Sequence, residues 1–102
     1  MITCVVQYEI DPSKQSFFET YAQMWLNLLP KLGGVHHGYF MPYEGANDKA
    51  MALFSFSSLA AYEAYRHQLK TNPEAIEAFE FANTHQMIKR YDRTFMEPKL
   101  VS

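Results

Sequence analysis

The side chains best suited to acid–base chemistry in this sequence belong to two adjacent histidines, His36 and His37. An imidazole titrates close to neutral pH, so a histidine in a sheltered cavity can act as a general base. Neighbouring residues of a strand point to opposite faces of a sheet, and the two rings are therefore not expected to bind one metal ion. We interpret His37 as a candidate catalytic base; a solvated or hydrogen-bonded histidine at a strand end is the plain alternative.

Four further polar side chains have positions that suit a ligand cavity. Strand alternation places Tyr39 and Tyr43 on the same face as His37, and tyrosines can orient a flat polar ligand while contributing apolar area. Packing or subunit contacts are the alternative roles for these tyrosines. Arg90 and Asp92 share one face of the last predicted strand, where they form either an ion pair inside the cavity or a charged edge that faces water. The candidate cavity residues are therefore His37, Tyr39, Tyr43, Arg90 and Asp92.

The sequence predicts no metal site and no cofactor. His67 and His85 do not belong to a metal-binding repeat such as HxxxH or HExxH. The single cysteine, Cys4, cannot form an intrachain disulfide or a four-cysteine zinc site, and its apolar neighbours predict a small buried side chain. The sequence also contains no glycine-rich phosphate loop, no nucleophile elbow and no pair of catalytic carboxylates.

The overall composition excludes several classes of protein. Apolar residues make up 48% and charged residues 20% of the 102 positions, which excludes a disordered tail. The formal net charge of −2 argues against nucleic acid or an acidic membrane as a partner. An RNA-recognition fold would also need its aromatic residues and glycine at other positions of the third strand. No apolar run reaches the roughly 20 residues that span a membrane, and the first residues do not resemble a signal peptide, so a cytoplasmic protein is expected.

Hydrophobic spacing predicts four strands and three helices in one domain over residues 1–102. The first helix has an apolar stripe of about five turns. It follows Asp11-Pro12, a typical helix start, and it stops at Gly33-Gly34, with Pro30 loosening its last turn. The strands are predicted at 2–10, 35–43, 49–56 and 86–96.

The other two helices begin at similar capping signals. The second helix follows Ser57-Ser58, and the third follows Asn72-Pro73. Helical spacing predicts that Ile76, Phe79 and Ala82 line the inner side of the third helix, with Asn83 as a further candidate. The order β-α-β-β-α-α-β contains two β-α-β halves. It predicts an α+β, ferredoxin-like fold, in which a four-stranded antiparallel sheet carries the helices on one face.

The aromatic content predicts a second buried surface. The chain contains 8 Phe, 7 Tyr and 1 Trp, and the helices account for only part of them. Strands two and three carry large apolar groups on both sides, so neither side reads as the solvated face of a sheet. We predict that two subunits pack their open sheet faces together in a two-fold homodimer.

Several segments together resemble one protein family. Residues 53–69 read LFSFSSLAAYEAYRHQL, and Asn72-Pro73-Glu74 and Phe79 follow. Residues 38–40 read GYF and residues 43–45 read YEG, as expected of a second strand and its turn. In order and spacing, these segments resemble the NIPSNAP family over nearly the whole chain.

The resemblance implies a dimeric α/β barrel, which is a paired form of the ferredoxin-like fold, but no settled reaction. Two interpretations of function follow. The first is a homodimeric barrel that binds a small, mostly apolar or aromatic ligand. The second is a cofactor-independent enzyme, similar to monooxygenases or isomerases, that uses His37 in the barrel cavity. Barrel families related by fold include cofactor-free monooxygenases, although a shared fold does not fix a function.

Overall fold

The structure is a computed structural model that describes residues 1–99, so the predicted domain end at 102 lies outside the described residues. The four strands and three α-helices are numbered in chain order, and short 3-10 turns flank the first helix at Pro12–Lys14 and Leu29–Leu32. The elements are β1 (Ile2–Ile10), α1 (Gln15–Leu28), β2 (Val35–Phe40), β3 (Lys49–Phe56), α2 (Leu59–Leu69), α3 (Pro73–His85) and β4 (Ile88–Met96).

The four strands form one antiparallel sheet in the order β2-β3-β1-β4. Strands β1 and β3 occupy the centre, and β2 and β4 are the edges. Alternate residues of the central strands are buried against the helices. Examples are Val6, which is 2% exposed, and Ala52, which is fully buried. The predicted α+β, ferredoxin-like fold with helices on one face is confirmed.

The predicted helix caps are present. The Ser58 hydroxyl accepts a hydrogen bond from the Ala61 amide at 3.1 Å, and the Asn72 side chain accepts one from the Ala75 amide at 3.0 Å. Each bond satisfies an amide that has no partner within its helix. At the end of α1 the chain tightens into a 3-10 turn that contains Pro30, because proline lacks the amide donor that continues an α-helix.

The core lies between α1 and the two central strands. Phe18 is fully buried, Trp25 is 6% exposed, and both face the buried side of the sheet. Cys4 is a free cysteine within this core, as predicted. Burial raises the pKa of its thiol to about 11, because the charged thiolate is disfavoured away from water.

The inner face of α3 differs from the prediction. Ala75 and Ala78 are fully buried, whereas Ile76 is 40% exposed and Phe79 is 44% exposed. Alanines at the contact let α3 pack closely against α1, so the larger side chains are displaced to its rim. Phe79 still covers Trp25, with ring centroids 5.3 Å apart. The prediction for Ile76 was therefore wrong, as was that for Asn83, which is also exposed.

Two strand boundaries also differ from the prediction. Strand β2 ends at Phe40 rather than at 43, since Pro42 has no amide to donate to a sheet. Strand β4 begins at Ile88 rather than at 86, because Gln86 adopts a left-handed conformation (φ 50°) that ends α3. Within residues 1–99, no helix is both long enough and apolar enough to cross a membrane.

Candidate functional site

A bulge in β2 decides which side chains share a face. His36 pairs with Phe54, but the next pair along the ladder is Gly38 with Leu53, so β2 has one residue more than its partner. Gly38 has a φ of 118°, a value that glycine adopts far more readily than other residues. Because of the extra residue, His37 and Gly38 lie on the open face and Tyr39 returns to the helix face. The prediction that Tyr39 shares a face with His37 was wrong.

On the open face, His37 begins a chain of hydrogen bonds. Its Nε2 atom lies 2.7 Å from the Ser55 hydroxyl, and that hydroxyl lies 2.8 Å from the Thr3 hydroxyl. Ser55 is buried, whereas His37 is exposed at the edge strand. These two hydrogen bonds fix the orientation of the imidazole, and an imidazole held in this way can exchange a proton with a ligand.

The three polar groups border a depression of about 350 Å³, called here the His37 pocket. Its other walls are mostly apolar, with Val5 and Leu53 on the central strands and Met96 on β4. A ligand pocket of this size usually combines apolar walls with a few fixed polar groups. The His37 pocket lies on the sheet face that carries no helix.

The other open-face candidates lie away from His37. Arg90 and Asp92 form an ion pair on β4, with an Nη1–Oδ2 distance of 2.9 Å, and both side chains are more than half exposed. They lie on β4, whereas His37 lies on the opposite edge strand, β2. Three strand spacings separate these two strands by about 14 Å. Tyr43 is fully exposed beyond the end of β2. The structure therefore does not bring the five predicted cavity residues together.

A second cavity lies on the other side of the sheet, beneath the helices. It has a volume of about 50 Å³ and is called here the tyrosine cavity. Tyr8 and Tyr39 reach it from the sheet, with ring centroids 6.3 Å apart. Tyr21 reaches it from α1 and Tyr65 from α2. Burial raises the pKa of all four phenols, so each stays neutral and can donate or accept a hydrogen bond.

His36 enters the tyrosine cavity as a hydrogen-bond donor. The Gly38 amide donates to its Nδ1 atom at 2.9 Å, so Nδ1 carries a lone pair. Burial, assisted by the neighbouring His37, lowers the pKa of His36 to about 4 and keeps the ring neutral at pH 7. The single proton of a neutral imidazole then lies on Nε2. That atom is buried and finds no acceptor within residues 1–99.

Trp25 supplies a second donor without a partner. Its Nε1 atom is buried and, in the part of the chain that the structure describes, makes no hydrogen bond of normal geometry. The Tyr21 hydroxyl is a neighbour, and the indole N–H opposes the increase in the pKa of Tyr21 that burial causes. A buried donor without an acceptor costs roughly 1–3 kcal/mol of folding free energy. Two such donors in one cavity therefore call for a functional explanation.

Arg93 completes the polar lining of the tyrosine cavity. It lies on the helix face of β4, and its guanidinium sits 5.4 Å from the centre of the Tyr91 ring. Arg93, Trp25 and Tyr8 are not among the five cavity residues predicted from the sequence. The signal available for these residues was strand alternation, which puts Tyr8 on the same face as Val6. In the sequence, the bulge that turns Tyr39 inward is indicated only by Gly38, because a glycine within a strand often marks a bulge.

No cluster of His, Cys, Asp and Glu that could hold a metal ion occurs within residues 1–99. The two sites offer different chemical groups. The His37 pocket offers an imidazole, two hydroxyls and, at its border, the Glu97 carboxylate within mostly apolar walls, and the tyrosine cavity offers convergent N–H and O–H donors.

The sequence profile of the NIPSNAP family matches residues 5–102. The chain belongs to the NIPSNAP family. A crystal structure of a NIPSNAP family protein of unknown function from Agrobacterium tumefaciens superposes with a TM-score of 0.84 at 17% identity, and the match covers 100% of this chain and 91% of that one. An uncharacterised NIPSNAP-like domain protein from Burkholderia xenovorans gives 0.74 at 21% identity, with 99% and 87% covered.

The fold extends beyond NIPSNAP proteins. A proposed antibiotic biosynthesis monooxygenase from Nitrosomonas europaea superposes with a TM-score of 0.76 at 7% identity, over 96% of this chain and 98% of that one. At such identity the likeness concerns the fold alone. No curated protein matches this NIPSNAP chain in sequence.

Proposed function

We propose that this NIPSNAP protein is a homodimer that forms an α/β barrel through its open sheet faces and binds a small, mostly apolar ligand there. The observation that carries the proposal is the His37 pocket, an apolar depression with one fixed imidazole on the uncovered face. A cytoplasmic location is part of this proposal, and the free thiol of Cys4 is compatible with a reducing compartment.

Exposed apolar side chains on the open face support the dimer. Val35 is 56% exposed, Phe40 is 53% exposed and Met96 is 54% exposed, and all three lie on the face without helices. Val5, Met51 and Leu53 lie between them on the same face of the central strands. An apolar sheet face of this kind usually marks an interface. A second copy presents the same patch, so a two-fold axis buries both at once. The dimeric barrel implied by the resemblance to the NIPSNAP family has the same partner, a second copy of the chain.

The His37 pocket supports ligand binding within that dimer. The pocket is open toward the side on which a second sheet would pack, and its apolar walls contain Val5 and Leu53. A partner sheet would cover it, exclude water and strengthen the hydrogen bond between His37 and Ser55. A ligand bound there would be largely apolar and would present one polar group to His37.

A neutral apolar dye such as Nile red tests the proposal. Wild-type protein is expected to bind the dye saturably. Leu53→Lys places a charge in the pocket and is expected to abolish that binding. Leu59→Lys is the matched control, because Leu59 lies on α2 and is 59% exposed. Equal dye binding by the wild type and both variants would contradict the proposal.

A second candidate function is a cofactor-independent oxygenase or isomerase reaction in the same pocket. The favouring observation is the hydrogen-bond chain from His37 through Ser55 to Thr3, which can hold an imidazole ready to take a proton from a substrate. The test compares His37→Gln with wild type on any substrate that the protein converts. Unchanged turnover in His37→Gln would exclude His37 as the base.

A further inference from the structure

The tyrosine cavity has a chemical character that the His37 pocket lacks. Its two unsatisfied polar groups, His36 Nε2 and Trp25 Nε1, are both N–H donors, because the Gly38 amide already occupies the acceptor nitrogen of His36. The neutral phenols of Tyr8 and Tyr21 can also donate into the cavity. A ligand that satisfies this lining has to bring hydrogen-bond acceptors.

The charges around the cavity favour an anion. Arg93 and Arg66 both contribute to the lining, and no aspartate or glutamate does among the described residues. Neither arginine has a carboxylate within salt-bridge distance in the range 1–99. Guanidinium groups pair best with planar, two-oxygen anions, so a carboxylate matches both the donors and the charge.

The volume of the cavity limits what can enter. About 50 Å³ holds roughly three or four water-sized groups, which suits a carboxylate with its first carbon but not a whole ring. Leu69 and Phe79, together with Arg66, also border a surface depression of about 340 Å³ between α2 and α3. The apolar surface of Leu69 and Phe79 lies on its inner side, and the remaining lining residues are Glu63, His67 and Lys70. A ligand with its carboxylate inside would therefore place its body in that depression.

We propose that the tyrosine cavity binds the carboxylate of a small hydrophobic monocarboxylic acid, whose apolar body lies against Leu69 and Phe79 in the depression between α2 and α3. This site lies on the helix face of the sheet. It is separate from the His37 pocket, and every residue that forms it comes from one subunit. Binding there does not require the dimer.

The single tryptophan makes the site directly observable. Trp25 is the only indole in the chain, so its fluorescence and its N–H resonance both report on the cavity. Hexanoate and phenylacetate are expected to change the fluorescence saturably and to shift the indole N–H signal downfield. Hexanol and 2-phenylethanol have the same bodies without the charge, and we expect them to bind at least roughly tenfold more weakly.

Two arginine variants on one strand provide the matched control. Arg93→Gln removes the cation at the cavity and is expected to weaken hexanoate binding roughly tenfold or more. Arg90→Gln makes the same change on the open face of β4 and is expected to bind hexanoate like wild type. Leu53→Lys, on the open face, should also leave hexanoate binding unchanged, so failure of the dimer and failure of this site are distinguishable.

Three results would overturn the proposal. The first is binding of the alcohols as tight as that of the acids, and the second is an equal loss of affinity in Arg90→Gln and Arg93→Gln. The third is the absence of any saturable change at millimolar acid, which would mean that internal water alone satisfies the two donors. The comparison of acids with alcohols uses wild-type protein, so it decides the matter even if Arg93→Gln fails to fold.

Discussion

His36 stacks on Tyr39, with ring centroids 5.1 Å apart and ring planes inclined by 21°. Residues three apart in a regular strand point to opposite faces, so this contact exists only because the bulge at His37 and Gly38 adds a residue to β2. The bulge thereby gives each histidine a different site. His36 enters the tyrosine cavity, and His37 enters the pocket on the open face.

The bulge depends on Gly38, so Gly38→Ala should destabilise the fold. An added Cβ would meet no other atom within 4 Å, but a φ of 118° is strained for any residue with a Cβ. We expect a loss of about 1–2 kcal/mol in the free energy of unfolding, measured by urea denaturation. A loss below about 0.5 kcal/mol would show that the strand accommodates alanine without strain.

The neutral state of His36 predicts a dependence of stability on pH. The unfolded ring has a pKa near 6.5 and the folded ring a pKa of about 4, so the unfolded state binds more protons between these values. Stability should therefore be complete above about pH 6.5 and should fall as the pH falls toward 4. Because the ring is only half-buried, we expect a loss on the order of 1–2 kcal/mol, less than the full shift implies.

Urea denaturation between pH 7 and pH 4.5 measures this dependence in matched variants. His36→Phe removes the titrating group and should flatten the curve relative to wild type. His67→Phe makes the same change at an exposed position of α2 and should leave the wild-type slope in place. If His36→Phe keeps the full slope, another group is responsible.

The contact between α1 and α3 predicts a strong size limit at Ala78. Ala78 is fully buried, so Ala78→Leu has to push the helices apart and should cost about 1–3 kcal/mol of unfolding free energy. Ala64→Leu on the exposed side of α2 is the control and should change stability by less than about 0.5 kcal/mol. Similar stability of the two variants in thermal or urea unfolding would contradict the close packing of α3.

The buried thiol predicts slow chemical modification of the native protein. With its pKa raised to about 11 from 9.0, Cys4 has roughly a hundredfold less thiolate at pH 8 than an ordinary cysteine, and burial slows access further. Alkylation by iodoacetamide, followed by mass spectrometry, should be at least a hundredfold slower in the native than in the unfolded state. Comparable rates would mean that β1 opens readily.

Much of the fold could be predicted from the sequence, because local signals and tertiary packing agree. Ser58 and Asn72 lie at helix N-termini as capping residues should, and Cys4 lies in the core as its apolar neighbours predict. The candidate site was less predictable, because it depends on the register of β2. A single inserted residue reverses the faces of everything beyond it, so simple alternation placed Tyr39 beside His37 when it lies on the other side.

The residues on the inner face of α3 were predicted incorrectly for a different physical reason. Hydrophobicity selects Ile76 and Phe79 for the core, but the close approach of two helices selects the small side chains of Ala75 and Ala78. Likewise, the unsatisfied donor on Trp25 is visible only once its neighbours are placed in three dimensions. Composition reveals which residues are apolar, whereas the site depends on which polar atoms remain without partners.

The pairing of open sheet faces is the central claim, and size-exclusion chromatography with light scattering tests it most directly. At micromolar concentration, wild-type protein should have twice the chain mass of 11.9 kDa, and Leu59→Lys should have the same mass. Leu53→Lys should be a folded monomer by light scattering and circular dichroism. A wild-type protein that elutes as a monomer at this concentration would contradict the account.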